Sequence, residues 1–191
     1  VTPGTPFSFD GQVHRVQGYD PFWAKAPTPP VYVAVNKPQM LRMAARLGDG
    51  IMLSDLTPPL CAERIGWVRE HLREFRRVAD PFRYYNFVAW HVYPDRERAV
   101  REAKMWLGYR GLFRRWVLNT FMTDAEYDVI EAHKAEIYGM VPRNAWSVPG
   151  VPDALLDSCV ENLTLAGTPA EIPRFVAHLW KMRDAGCTDI V

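Results

Sequence analysis

The chain has 191 residues, of which 48% are hydrophobic; this is the size of one domain or a piece of a larger one, and the composition excludes a disordered polymer. Lys and Arg total 23 against 22 Asp and Glu, so no basic field draws in nucleic acid or an anionic membrane. The apolar runs fall far short of the roughly 20 residues that span a bilayer, and the opening residues lack the basic and apolar regions of a signal peptide.

Cys61, Cys159 and Cys187 form an odd, widely spaced set. They read as buried thiols of a reducing compartment, and the expected location is the cytoplasm. The sequence opens on Val1 and closes on the strand-like run Thr188-Asp189-Ile190-Val191; both ends read as lying inside a larger fold.

Residues 1–30 are rich in Pro, Gly and aromatics. Phe7-Ser8-Phe9 and Val13-His14-Arg15-Val16 alternate about Asp10-Gly11, a hairpin signal. Pro27, Pro29 and Pro30 form a rigid lead-in to Val31-Tyr32-Val33-Ala34-Val35, a β-branched run expected of a strand buried on both faces. Pro38 suits a first helical position, with Asn36 or Lys37 near the cap. Met40, Leu41, Met43, Ala44 and Leu47 recur at helical spacing before the stop at Gly48. Ile51-Met52-Leu53 reads as a second buried strand. Thr57-Pro58-Pro59 opens a helix to about Val78, whose charged face (Glu63, Arg64, Arg69, Glu70, Arg73, Glu74, Arg76, Arg77) reads as solvated.

Tyr84 to Val92 reads as a third strand, and Pro94-Asp95 starts a helix through about Leu107. Helical signals follow near Leu112–Phe121, Asp124–Tyr138 and Asp153–Asn162. In Gly167-Thr168-Pro169-Ala170-Glu171, Thr168 is an N-cap and Glu171 completes a capping box. That helix ends at Gly186, and Asp189-Ile190-Val191 is the fourth strand. Strand-helix alternation of this kind argues for a parallel sheet, either open and doubly wound or part of a (β/α)8 barrel. Periodicity does not choose between them.

Pro29-Pro30-Val31-Tyr32-Val33-Ala34-Val35-Asn36-Lys37-Pro38-Gln39-Met40-Leu41, with Gly48-Asp49-Gly50-Ile51-Met52-Leu53, resembles the pattern of the luciferase-like monooxygenase superfamily. There a "PPIYVAA" strand runs into an "SGPKML" turn and helix, and an Asp-Gly pair opens the next strand. Leu163 through Glu171, with Ala185-Gly186-Cys187-Thr188-Asp189, is similar to the family's closing "GTPEE…AG" unit. Phe9-Asp10-Gly11 is similar to the hairpin before the fifth strand. The resemblance implies the C-terminal half, strands five to eight, of a (β/α)8 TIM barrel with a helical insertion. It divides residues 1–191 into a hairpin region 1–30, three β/α units over 31–107, the insertion over 108–166, and the last helix with the start of the last strand over 167–191.

The turn has a physical logic of its own. A strand ending at Val35 and a helix starting near Pro38 leave unpaired N–H groups beside the positive end of the helix dipole, a seat for phosphate. In TIM barrels that end is the active-site face. The resemblance places the phosphate of FMN, or of the tail of coenzyme F420, at Val35, Asn36, Lys37 and Pro38. Lys37 stands where the family usually has Gly, and Asn36 where it has Ser. A Lys there brings a cation within reach of phosphate, and it requires backbone that tolerates a Cβ.

Other residues carry weaker signals. Ser54 and Asp55 end the second strand on the same face, where they line a pocket or cap the next helix. His91 reads as a core or outward histidine, and His14, His71, His133 and His178 lack metal-ligand spacing. Arg110, Arg114 and Arg115 with Trp106 and Trp116 read as a solvated helix face, the alternative being contact with an anionic cofactor tail. No Walker, G-x-S-x-G or G-x-G-x-x-G pattern occurs.

The resemblance implies an oxidoreductase or monooxygenase using coenzyme F420 or FMN on a small organic substrate, with a slight lean to the deazaflavin group related to methylenetetrahydromethanopterin reductase. The residues that contact the ring and transfer protons lie largely in the family's other half, so no catalytic residue is assigned. The alternative is a cofactor-free barrel relative serving as a binding or scaffold module. A self-contained half barrel would expose apolar strand edges, so further sequence or another chain is expected to complete it, and a homo-oligomer is expected.

Overall fold

The computed structural model describes residues 4–24 and 29–191. Residues 1–31 and residues 32–191 form two compact units. In the first, β1 (Phe7–Asp10) and β2 (Arg15–Tyr19) pair antiparallel. Asp10 faces Arg15 across the register and forms a 2.7 Å ion pair with it. The Gly11 N–H donates to the His14 carbonyl, closing the hairpin expected around Asp10-Gly11. The expected lead-in at Pro27 lies outside the described residues; Pro29 and Pro30 have no regular structure.

The second unit is mixed α/β and built on parallel strands. Its main sheet runs β3 (Tyr32–Ala34), β4 (Gly50–Ser54), β5 (Arg83–Phe87), β8 (Asp189–Ile190), every neighbouring pair parallel. Between the strands come α1 (Pro38–Leu47) and α2 (Pro58–Glu74). They bury Leu41, Ala44 and Ala45 from α1 and Leu60, Cys61, Ile65, Val68 and Leu72 from α2, in one core with Ile51 and Leu53 of β4. The expectation that strand 31–35 is buried on both faces fails. Tyr32 and Ala34 are exposed and only Val33 and Val35 turn inward, because β3 pairs with β4 alone and lies at the sheet edge.

The run 84–92 is two strands rather than one. β5 stops at Phe87, and β6 (Ala89–Val92) leaves the main sheet to pair in parallel with β7 (Thr164–Gly167). Nothing in the periodicity around residue 164 announces that strand. After β6 comes α3 (Arg96–Arg110), whose Asp95 cap accepts the Glu97 N–H at 2.9 Å. Short helices follow: α4 (Arg115–Leu118), α5 (Asp124–Ala132), α6 (Lys134–Tyr138) and α7 (Asp153–Leu163). The Thr168–Glu171 capping box forms over the 3-10 turn Pro169–Glu171, which feeds α8 (Ile172–Asp184). All three cysteines are buried free thiols; burial pushes Cys159 up to about 12. No helix among the described residues is long and apolar enough to cross a membrane.

Candidate functional site

Strands of a parallel sheet all deliver their C-terminal ends to one edge, and in α/β folds ligands bind at that edge. Here β3 ends at Ala34, β4 at Ser54 and β5 at Phe87. Val35 is buried, with its N–H donated to the Met52 carbonyl at 3.0 Å. Asn36 is half-buried, and its Oδ1 accepts the Ser54 N–H at 3.4 Å, tying the turn to the end of β4. Lys37 is the N-cap of α1 and Pro38 its first residue.

Lys37 sits in extended backbone (φ −113°, ψ 149°), where a Cβ brings no strain. The family's glycine is therefore not needed at this position. Its side chain does not cap the helix, and the first turn of α1 contains no acidic residue. The N–H groups of Gln39 and Met40 find no acceptor within the helix. The Lys37 Nζ lies 4.5 Å from the centre of the Trp116 ring, so one cation already stands beside the turn.

The cationic neighbourhood is wider than periodicity indicates. Arg64, read as part of a solvated face, is only 6% exposed. Its guanidinium lies 4.3 Å from the Trp67 ring centre and 5.2 Å from that of Trp116, while Glu63 takes its Nη1 at 2.7 Å. Arg110, read as solvated or as a contact for an anionic tail, reaches back from the last turn of α3 over the end of β4. Its Nη2 donates to Ser54 Oγ at 2.6 Å and to Asp55 Oδ2 at 3.1 Å, and Ser54 Oγ donates to Asp55 Oδ2 at 2.7 Å. The Asp55 side chain is fully buried beside it. Asp55 adopts a left-handed backbone (φ 55°), a conformation uncommon outside glycine and costing about 1–3 kcal/mol. Arg114 and Arg115 take no part: Arg114 donates to the Gly111 carbonyl, and Arg115 pairs with Asp124 and Asp128.

Beyond Arg110 the edge becomes aromatic. The guanidinium lies 5.7 Å from the Phe87 ring centre and 5.5 Å from that of Trp106, and Trp106 is 6.3 Å from the His91 ring. Phe87, His91 and Trp106 help line a mainly apolar cavity of about 260 Å³, with Val88, Ala89, Trp90 and Val191. Burial pushes the His91 imidazole below its ordinary value, outweighing the opposing pull of Glu102, so the ring is neutral at pH 7. A second cavity, of about 310 Å³, is lined by charged groups of both signs, including Glu161, Arg174 and Lys181, and shares no residue with this network.

Among the described residues, buried side-chain polar atoms without a hydrogen bond are Asp55 Oδ1, Arg64 Nε, His91 Nε2, Trp106 Nε1 and Asp157 Oδ1. Asp157 Oδ1 lies 2.8 Å from Lys104 Nζ and is satisfied as an ion pair. The other four all belong to the contact chain running from Arg64 and Trp116 through Asn36, Ser54 and Arg110 to His91. Folded proteins rarely strand buried polar atoms, and their concentration at one edge makes that edge the candidate site.

Known proteins resemble the chain along nearly its whole length. The family model for luciferase-like monooxygenases matches residues 1–188. The 5,10-methylenetetrahydromethanopterin reductase of Archaeoglobus fulgidus is 22% identical over 197 residues, covering 100% of this chain and 55% of the relative. The structure of the coenzyme F420 dependent tetrahydromethanopterin reductase from Methanopyrus kandleri superposes with a TM-score of 0.69 at 18% identity, over 99% of this chain and 52% of that one. An F420-dependent secondary alcohol dehydrogenase, in complex with an F420-acetone adduct, gives 0.63 at 14% identity, over 97% and 49%. The chain thus spans about half the length of the relatives it matches. The parallel strands, the turn at Asn36 and the match over residues 1–188 agree: the chain belongs to the luciferase-like monooxygenase family.

Proposed function

We propose that the chain is part of an oxidoreductase that binds coenzyme F420, or else FMN, and acts on a small organic substrate by hydride transfer or monooxygenation. The observation that carries this reading is the open amide end of α1 at the end of β3. It has no acidic residue in its first turn, no side-chain cap and Lys37 beside it. An anion seated there would take the N–H groups of Gln39 and Met40 and the positive end of the helix dipole. The residues present therefore fit a phosphate. The bound cofactor would supply the redox chemistry of its ring, and the protein its placement and electrostatics.

Val35, Asn36, Lys37 and Pro38 bind the phosphate in this account. Val35 anchors the turn to β4 and Asn36 ties it to Ser54. The mainly apolar cavity beside Phe87, His91 and Trp106 suits an uncharged ring or a small organic substrate. Preference for F420 over FMN rests on the Pro30-to-Leu53 string and on two similar structures named as F420-dependent. The open edges of the main sheet, at β3 and β8, are where further strands would complete a barrel.

Titrating the protein with oxidised F420, and separately with FMN, while following cofactor fluorescence tests the reading. Saturable binding of at least one is expected, with Lys37→Ala weakening it roughly 5-fold, the size of one exposed charge contact. Failure of both cofactors to bind would overturn it.

A further inference from the structure

We propose that Arg110 makes this site select a ligand bearing an anionic phosphate tail over the same ring system without one. The inference rests on the cofactor reading above and adds a group that neither the turn nor its helix supplies. Arg110 comes from α3 and reaches the turn through a continuous chain of contacts. Asn36 Oδ1 meets the Ser54 N–H, and Ser54 Oγ meets Arg110 Nη2.

Three features separate Arg110 from an ordinary surface arginine. Both of its short contacts fall on Nη2; among the described residues, Nε and Nη1 hold no hydrogen-bond partner and are left for another acceptor. Its side chain is 36% exposed although its carboxylate partner is completely buried, so the guanidinium bridges the interior and the edge. Phe87 and Trp106 lie beside it, limiting its freedom. An arginine fixed in this way gives up little entropy when one of its free N–H groups takes an oxygen of a phosphate.

Asp55 explains why the arrangement persists. Its backbone is left-handed, its side chain is wholly buried, and its Oδ1 lacks a donor. Each of these features costs stability. Together they occur at a residue that, with Ser54, holds Arg110 in position. A simple pin between α3 and β4 would need neither the strain nor the exposed guanidinium. Arg110 is accordingly a binding residue for the anionic end of the ligand, and Asp55 and Ser54 are positioning residues.

Matched ligands test this directly. FMN and riboflavin share a ring and differ in the phosphate; F420 and its tail-free 8-hydroxy-5-deazariboflavin differ in the anionic tail. Dissociation constants for both pairs are measured on wild type, Arg110→Met and the double variant Arg110→Met/Asp55→Asn. The double variant guards against misfolding, because removing Arg110 alone leaves a buried carboxylate uncompensated, whereas asparagine is neutral and tolerates the left-handed backbone. Wild type is expected to prefer the tailed member of the pair it binds. In both variants that preference should fall about 10- to 100-fold, the loss of one charge-assisted hydrogen bond, with affinity for the tail-free ring unchanged. A preference that survives in the double variant would make Arg110 a structural pin and overturn the inference. Ring binding by wild type with no preference for the tail would do the same; it would leave ring binding standing and remove the phosphate seat at the start of α1. Binding of none of the four compounds would remove the cofactor reading, and this inference with it.

Discussion

At Lys37 the backbone decides more than the side chain does. Because φ is −113°, any L-residue fits, and the position is free to carry charge. Lys37→Ala is therefore expected to change stability by less than about 0.5 kcal/mol in urea unfolding, as an exposed substitution does, while weakening cofactor binding. A loss above about 1.5 kcal/mol would mean that the Trp116 contact is structural. His91 offers a second handle at this scale. Burial lowers its folded pKa, so the unfolded chain binds the proton more readily. Stability is then complete above the unfolded value near 6.5 and falls as pH drops through the folded one. Thermal midpoints measured from pH 7.5 to 5 should decline less steeply in His91→Gln than in wild type. Equal slopes would show that other groups, His178 among them, dominate the titration, since burial also lowers His178.

Gly50 shows how an element imposes a demand on sequence. A Cβ there would sit 2.6 Å from the Arg83 carbonyl oxygen and 2.7 Å from the Tyr32 ring, in the strand flanked by β3 and β5. Gly50→Ala should cost about 1–3 kcal/mol by overpacking, read as a lower urea midpoint with an unchanged slope; an unaltered midpoint would contradict the tight β3–β4–β5 approach. Thr168→Ala should cost about 1 kcal/mol by removing the capping box that starts α8. Elements of this kind were legible in the residues. The Asp-Gly pair before β4, Pro38 at the head of α1 and Thr168–Glu171 all act on neighbours in sequence. Features that depend on distant partners were not. β7 is four residues long and exists because β6 leaves the main sheet to pair with it. Arg64 and Arg110 sit at helical positions that look solvated; Trp67 and Trp116 cover Arg64, and the end of β4 draws the Arg110 guanidinium to it. The turn at residues 35–38 is legible because a strand end followed by a Pro-started helix is a local pattern. Of its cationic surroundings, Lys37 is local and Arg110 is legible only as an alternative to a solvated face, while Arg64 is not legible, because Arg64 and Arg110 come from α2 and α3.

For the molecule as a whole, the proposed site lies at one edge of the parallel sheet, where the strand ends, the start of α1, Arg110 and the stranded polar atoms meet. A ligand that binds only the folded state adds stability that grows with its concentration, about 2.7 kcal/mol at 100 times Kd; a thermal midpoint that climbs with added F420 or FMN is the expected signature. The location of the anion is tested most directly by backbone amide chemical shifts during titration with the cofactor that binds. The account predicts that the largest changes fall on Lys37, Gln39 and Met40, the amides at the open end of α1. Shifts that spare this turn and gather instead around Glu161, Arg174 and Lys181 would contradict it.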